Sequence, residues 1–344
     1  MLQLEPQKFQ ALENRFNEFM SRIIGKDYLI VIMPASIGDF IIVGMLAPAL
    51  KKKYNKEIVL LVLERYQEFK IKFEDVKEIV YMPGNLMWIF QYYIRATKKY
   101  SGEGYIYGGF PFDESSPFNE IIDDKDLYMF DRFKKNFDIP LNTPIKYPII
   151  EDISEEAKQR LHEKYKLDKD RTVILCPYCN TPEAYAEKFF NLWKKLTAEL
   201  NKRGYTVYEN IGKTMNNQKD TFNFGNFPME TTLNEIYYIA DKVKCFIGTR
   251  SGIFDVLSLS KGNIFAVSTT NLWCCDLKVM YPESNSRTLY TAIPMIEELK
   301  TVTKKYAVTS INISNVAFKN IDNKDLYTTE EEIMASILDS VEKL

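Results

Sequence analysis

Apolar residues along the chain follow two rhythms, unbroken runs that read as strands buried on both faces and three-to-four spacing that reads as amphipathic helix. Phe9, Leu12, Phe16, Phe19 and Ile23 predict a helix over 6–24, and the run 28–33 predicts the first strand. That strand runs into Pro34-Ala35-Ser36-Ile37-Gly38-Asp39, after which a second apolar run predicts a helix continuing to residue 53. Strands at 57–63 and 78–82, an aromatic helix over 86–100, a short strand at 104–109 and a polar loop at 111–124 follow. Between 139 and 153 the periodicity is lost to Pro140, Pro144 and Pro148, which predicts a connection and a domain boundary near 150. The alternation then restarts: helix 154–165, strand 171–177, helix 187–203 stopped by Gly204, strand 205–211, helix 232–241 capped by Thr231 or Thr232, strand 244–248, helix 253–260, strand 263–267. Strands alternating with helices predict an α/β protein of two Rossmann-like domains, 1–150 and 151–344, facing each other across a cleft.

With 344 residues the chain has length for two cores, and 46% hydrophobic with 14% aromatic residues marks it as globular throughout. A net charge of −2 offers no general attraction to polyanions, so nucleic acid is not an expected partner. The five cysteines, Cys176, Cys179, Cys245, Cys274 and Cys275, are an odd number in a chain that needs no disulfide staples, as expected in a reducing, cytoplasmic compartment. Cys176 and Cys179 have the spacing of a redox or zinc pair, but no second pair or histidine cluster completes a ligand set, and the one histidine, His162, reads as solvated surface. No metal site is expected. The N-terminus lacks the basic-then-apolar pattern of a secretory leader, and the apolar stretch 28–50 carries Asp39 at its centre, which argues against a membrane span.

Two strand-to-helix turns hold the candidate chemistry. Ser36-Ile37-Gly38-Asp39 places a carboxylate where α/β sheets bind ligands, with helix capping as the competing role for Asp39. Gly248-Thr249-Arg250-Ser251-Gly252 lets backbone approach a ligand closely; its N–H groups, the positive helix end and the Arg250 guanidinium suit a phosphate, while ordinary turn chemistry is the alternative.

The order of these features resembles the bacterial heptosyltransferases, sugar-nucleotide-dependent glycosyltransferases of the GT-B type. The resemblance rests on Ser36-Ile37-Gly38-Asp39 after the first strand, and on the loop 176–181 followed by Lys188-Phe189-Phe190 entering a long helix. Thr232-Leu233-Asn234-Glu235 and the loop Arg250-Ser251-Gly252-Ile253-Phe254-Asp255 complete it. Two positions depart from the family pattern: its loop aspartate is Arg250 here and its histidine is Asp255. The resemblance implies an inverting glycosyltransferase with Asp39 as base and with Lys188, Thr249, Arg250, Ser251 and Gly252 around the diphosphate. By its position just before the Thr-capped helix, Glu230 is a candidate for a ribose hydroxyl, with a surface carboxylate at a helix start as the competing account, and Tyr178, Asn180 and Thr214, on strand-end loops, are lining candidates. It implies a nucleotide sugar as co-substrate with no other cofactor. It also implies a surface-glycan or lipid-linked acceptor, with peripheral contact to the inner face of the membrane as one arrangement and the last helix packing back on the N-terminal domain. Oligomeric state is open. Transfer is expected without metal, since Asp124-Lys125-Asp126 and Asp168-Lys169-Asp170 both read as solvated turns. An epimerase or hydrolase of the same shape and a non-catalytic scaffold are the other readings.

Overall fold

The structure, a computed structural model, describes residues 6–23, 27–33, 36–109, 127–177, 189–211, 224, 226–269, 276–291 and 326–344. It divides into two compact units, Met1–Glu151 and Asp152–Leu344.

Unit 1 comprises helix α1 (Pro6–Ile23), strand β1 (Tyr28–Met33), α2 (Ile37–Met45), α3 (Ala47–Tyr54), β2 (Glu57–Leu63), β3 (Ile71–Lys72), β4 (Val76–Met82), α4 (Gly84–Thr97), β5 (Ser101–Gly102), β6 (Tyr105–Tyr107), α5 (Met129–Asn136) and β7 (Ile149–Ile150). The sheet order is β4-β2-β1-β6-β5, all parallel except the β5–β6 hairpin. One face, carrying Ile30, Ile32, Val59 and Leu61, is covered by Phe16 and Met20 of α1 and by Met87, Phe90, Tyr93 and Ile94 of α4. With both faces covered, β1 and β2 are almost wholly buried, which is why their sequences are unbroken apolar runs. The helix expected to run to residue 53 is two helices. Pro48 lies in the first turn of α3, where its missing N–H costs no hydrogen bond, and the chain bends at Leu46. The Pro-rich connection is not a free linker either, because β7 pairs antiparallel with β3.

Unit 2 comprises α6 (Glu155–Lys164), β8 (Thr172–Cys176), α7 (Phe190–Lys202), β9 (Thr206–Asn210), β10 (Phe227–Met229), α8 (Leu233–Ile239), β11 (Cys245–Thr249), α9 (Gly252–Ser258), β12 (Asn263–Thr269), α10 (Leu277–Met280), β13 (Asn285–Thr291), β14 (Leu326–Tyr327) and α11 (Glu330–Lys343). Its strands are all parallel in the order β10-β9-β8-β11-β12-β13-β14, the doubly wound arrangement in which the order reverses between β8 and β11. Gly204 ends α7 with φ +81°, a conformation only glycine takes without strain. Helix α11 buries Ile333, Ile337, Leu338 and Val341 in the core of unit 2, beside Trp193, Leu196 and Leu200 of α7. No helix among the described residues is long and apolar enough to cross a membrane.

Candidate functional site

In each unit the predicted turn sits at the carboxyl end of the sheet, at the point where strand order reverses. Unit 1 reverses between β1 and β6. The Gly108 N–H donates to the Ile32 carbonyl at 2.8 Å, and a Cβ on Gly108 would lie 2.1 Å from the Met33 sulfur, so a larger residue here would have to push the Met33 side chain aside where the chain leaving β6 runs beside β1. Helix α2 begins at this edge. Ser36 caps it, with the Asp39 N–H donating to Ser36 Oγ at 3.5 Å, while Asp39 Oδ2 accepts from the Ser36 N–H at 3.3 Å and from its hydroxyl at 3.1 Å. This reciprocal pair is a capping box, so the capping role weighed from sequence is real. It does not hide the carboxylate, which stays half-buried and close enough to influence two tyrosines brought from elsewhere. Burial pushes the Tyr66 phenol up, Arg65 opposes the shift, and the Asp39 charge adds to it. The Tyr107 phenol is likewise raised, by burial first, with the Asp39 charge again contributing. Arg65 Nη2 donates to Tyr66 Oη at 2.7 Å.

Unit 2 reverses between β8 and β11. A Cβ on Gly248 would lie 1.9 Å from the Cys176 carbonyl oxygen, which makes this glycine a condition of the two strands meeting. Thr249 Oγ1 donates to the Pro177 carbonyl at 2.8 Å and ties the two strand ends together. The Thr249 hydroxyl is thus turned inward, away from the ligand role expected of it. Arg250 also departs from expectation. Its guanidinium meets Asp255 through two bonds, Nη2 to Oδ1 at 2.8 Å and Nη1 to Oδ2 at 3.0 Å, with side-chain exposures of 7% and 4%. Nη1 also donates to the Ser251 carbonyl at 2.7 Å, and Tyr281 Oη donates to Asp255 Oδ1 at 3.0 Å. The guanidinium expected on a phosphate is held by an internal carboxylate because helix α9 returns Asp255 beneath the turn. The two positions that depart from the heptosyltransferase pattern are therefore partners in one ion pair. Ser251 and Gly252 are half-buried at the turn, and the Ser251 hydroxyl makes no capping bond. With seven residues, α9 is also too short for a developed helix-end charge.

Around this turn the sheet edge is polar in ways the sequence pattern does not reveal. Asn210, buried at the end of β9, accepts from Thr231 Oγ1 at 3.1 Å and lies beside Cys176. Glu230 follows β10 at the same edge with its side chain exposed, and its N–H donates to Tyr165 Oη at 3.0 Å. Burial holds the Cys176 and Cys245 thiols well above the usual range, which disfavours thiolate chemistry there. Asp168 accepts from the N–H groups of Asp170 at 2.8 Å and Arg171 at 3.2 Å, forming a turn at the opposite, amino end of β8. Tyr178, Asn180, Lys188, Thr214, Cys179, Cys274, Cys275 and the Asp124–Asp126 pair lie outside the described residues.

A family 9 glycosyltransferase from Veillonella parvula matches with TM-score 0.54 at 13% identity, covering 92% of this chain and 98% of its own. This chain shares its fold. ADP-heptose LPS heptosyltransferase II of E. coli is similar at 15% identity over 82% of this chain and 100% of its own, with TM-score 0.47. An E. coli heptosyltransferase solved with ADP is similar at 11% identity over 81% and 97%, with TM-score 0.40. No family model and no curated protein sequence matches the chain.

Proposed function

We propose that the protein is a glycosyltransferase that moves a sugar from a nucleotide sugar to a hydroxyl of a glycan or lipid-linked acceptor. The observation that carries this reading is the placement of the Ser36–Asp39 and Thr249–Gly252 turns. Each sits at the switch point of its own parallel sheet, where doubly wound α/β units bind ligands. The shared fold with a family 9 glycosyltransferase supports the reaction class by analogy.

Transfer requires a group that takes the acceptor proton and groups that hold the departing diphosphate. Asp39 is the carboxylate suited to the first task, and inversion at the sugar carbon follows if it acts directly on the acceptor hydroxyl. For the second, the backbone and hydroxyl of Ser251 and the backbone of Gly252 offer donors with no bulky side chain in the way, and Lys188 would add a positive charge. Transfer without a divalent cation fits the place of Asp168 and Asp170 at the far end of β8. Glu230 and Asn210, at the ends of neighbouring strands, are the candidates for the nucleoside.

Incubation with nucleotide sugars and candidate glycan acceptors, followed by quantitation of nucleoside diphosphate, tests the reading. Acceptor-dependent release supports it. Release at equal rate without acceptor marks a hydrolase, and rearranged donor with no release marks an epimerase.

A further inference from the structure

We infer that Arg250 and Asp255 act as a positioning pair that fixes the Thr249–Gly252 turn in the shape that receives a diphosphate. This rests on the donor reading above and assigns Arg250 a role other than direct phosphate contact.

The turn is held at each residue before Gly252. Thr249 is tied to Pro177 through its hydroxyl, the Arg250 N–H donates to the Val267 carbonyl at 2.8 Å, and the Ser251 carbonyl accepts from Arg250 Nη1 at 2.7 Å. The last of these has directional force only because the guanidinium plane is itself fixed, and the two-bond fork to Asp255 is what fixes it. Asp255 is in turn oriented by Tyr281, whose hydroxyl donates to the same Oδ1 that accepts from Arg250 Nη2. The chain of restraint therefore runs from Tyr281, just after α10, through Asp255 and Arg250 to the Ser251 carbonyl. Stability alone does not call for such an arrangement. A buried ion pair is often no more stabilising than well-packed apolar residues of the same volume, whereas a fork of fixed geometry specifies one backbone conformation.

The pair is separable from the alternatives by its coupling. Arg250→Gln, Asp255→Asn and the double variant are titrated by calorimetry with the nucleoside diphosphate that binds the wild-type protein, well below each variant's melting temperature. Amide hydrogen exchange over 248–256 is followed without ligand. Positioning predicts that each single change weakens binding about tenfold and that the double change is no worse than either single one, since both break the same unit. Exchange over 248–256 should quicken while the rest of unit 2 is unchanged. Arg250→Lys, which keeps the charge and loses the fork, should weaken binding like Arg250→Gln. Tyr281→Phe should move both readouts in the same direction by less, and these two milder variants decide the matter if the others fail to fold. Binding unchanged or tightened in Asp255→Asn but weakened in Arg250→Gln would make Arg250 a direct ligand and overturn the inference. So would lowered melting temperatures with unchanged affinity, which would make the pair packing alone. If the wild-type protein binds no nucleoside diphosphate, the donor reading fails by itself. The exchange arm then still decides whether the pair sets the turn, and unaltered exchange in Asp255→Asn overturns it.

Discussion

Asp39 serves the fold and, in our account, the reaction, and the two roles separate by substitution. Asparagine at this position keeps an oxygen that can accept from Ser36, so Asp39→Asn should cost stability no more than about 1 kcal/mol, the scale of a helix cap. Turnover should fall by roughly 10²–10⁴, the range for a lost general base, with nucleotide affinity unchanged; full turnover in this variant would remove Asp39 from the mechanism. Gly248→Ala is a residue-scale test of the unit 2 switch point. The new Cβ would collide with backbone rather than with a yielding side chain, so unit 2 should lose about 3 kcal/mol or more in a denaturant titration. A midpoint within error of wild type would show that β8 and β11 do not meet as described. At this scale sequence reading located both turns, because a strand stopping at small and polar residues is a local signal. It did not place Tyr66 and Tyr107 near Asp39, Asn210 beside Cys176, or Asp255 and Tyr281 beneath Arg250. Those meetings depend on which strands are neighbours, and an apolar or aromatic residue in a periodic run announces only that it is buried. The Arg250–Asp255 pair went unread for the same reason, since the charge of Arg250 was visible and its meeting with Asp255 was not.

Among elements, the central strands were the most legible, because parallel strands covered on both faces are written as unbroken apolar runs, whereas β13, written Asn-Ser-Arg-Thr-Leu-Tyr-Thr, and the short β3, β5, β7, β10 and β14 carry no such run and were not predicted. Helix ends were less so. The break at Leu46 follows from Pro48, a signal present in the sequence but outweighed by the apolar run on either side. Helix α11 likewise announces itself through a Thr329/Glu332 capping box and apolar positions 333, 337 and 341, yet nothing local says which surface it covers. The α1–α4 pair carries a pH dependence. Tyr93 Oη donates to Glu13 Oε1 at 2.9 Å, and burial first, then this bond, pushes the Tyr93 phenol from 10.0 up to about 12. A raised pKa means the folded state favours the neutral phenol. Its contribution is therefore intact below about pH 10 and lost as pH rises through about 12, where the unfolded chain has already released the proton. Denaturant midpoints measured across this window should fall more steeply for the wild-type protein than for Tyr93→Phe. Parallel slopes would mean that Tyr93 contributes nothing to the alkaline loss.

For the whole molecule, the alternation of strands and helices and its restart after a Pro-rich stretch made a two-part α/β chain readable. The order of the strands within each sheet was not, because it is decided by handedness and packing over long separations. The reaction class we propose came from the resemblance, and the likeness to the family 9 glycosyltransferase is one of fold. Beyond architecture, we propose that the β8/β11 switch point holds the diphosphate of a nucleotide sugar. The most direct test is calorimetric titration of the wild-type protein with a panel of nucleoside diphosphates and nucleotide sugars, in the presence of a chelator. One nucleotide should bind without metal, and Gly252→Val, which places a branched side chain at the turn, should abolish the heat. Absence of binding by every member of the panel, or binding undiminished by Gly252→Val, would contradict it.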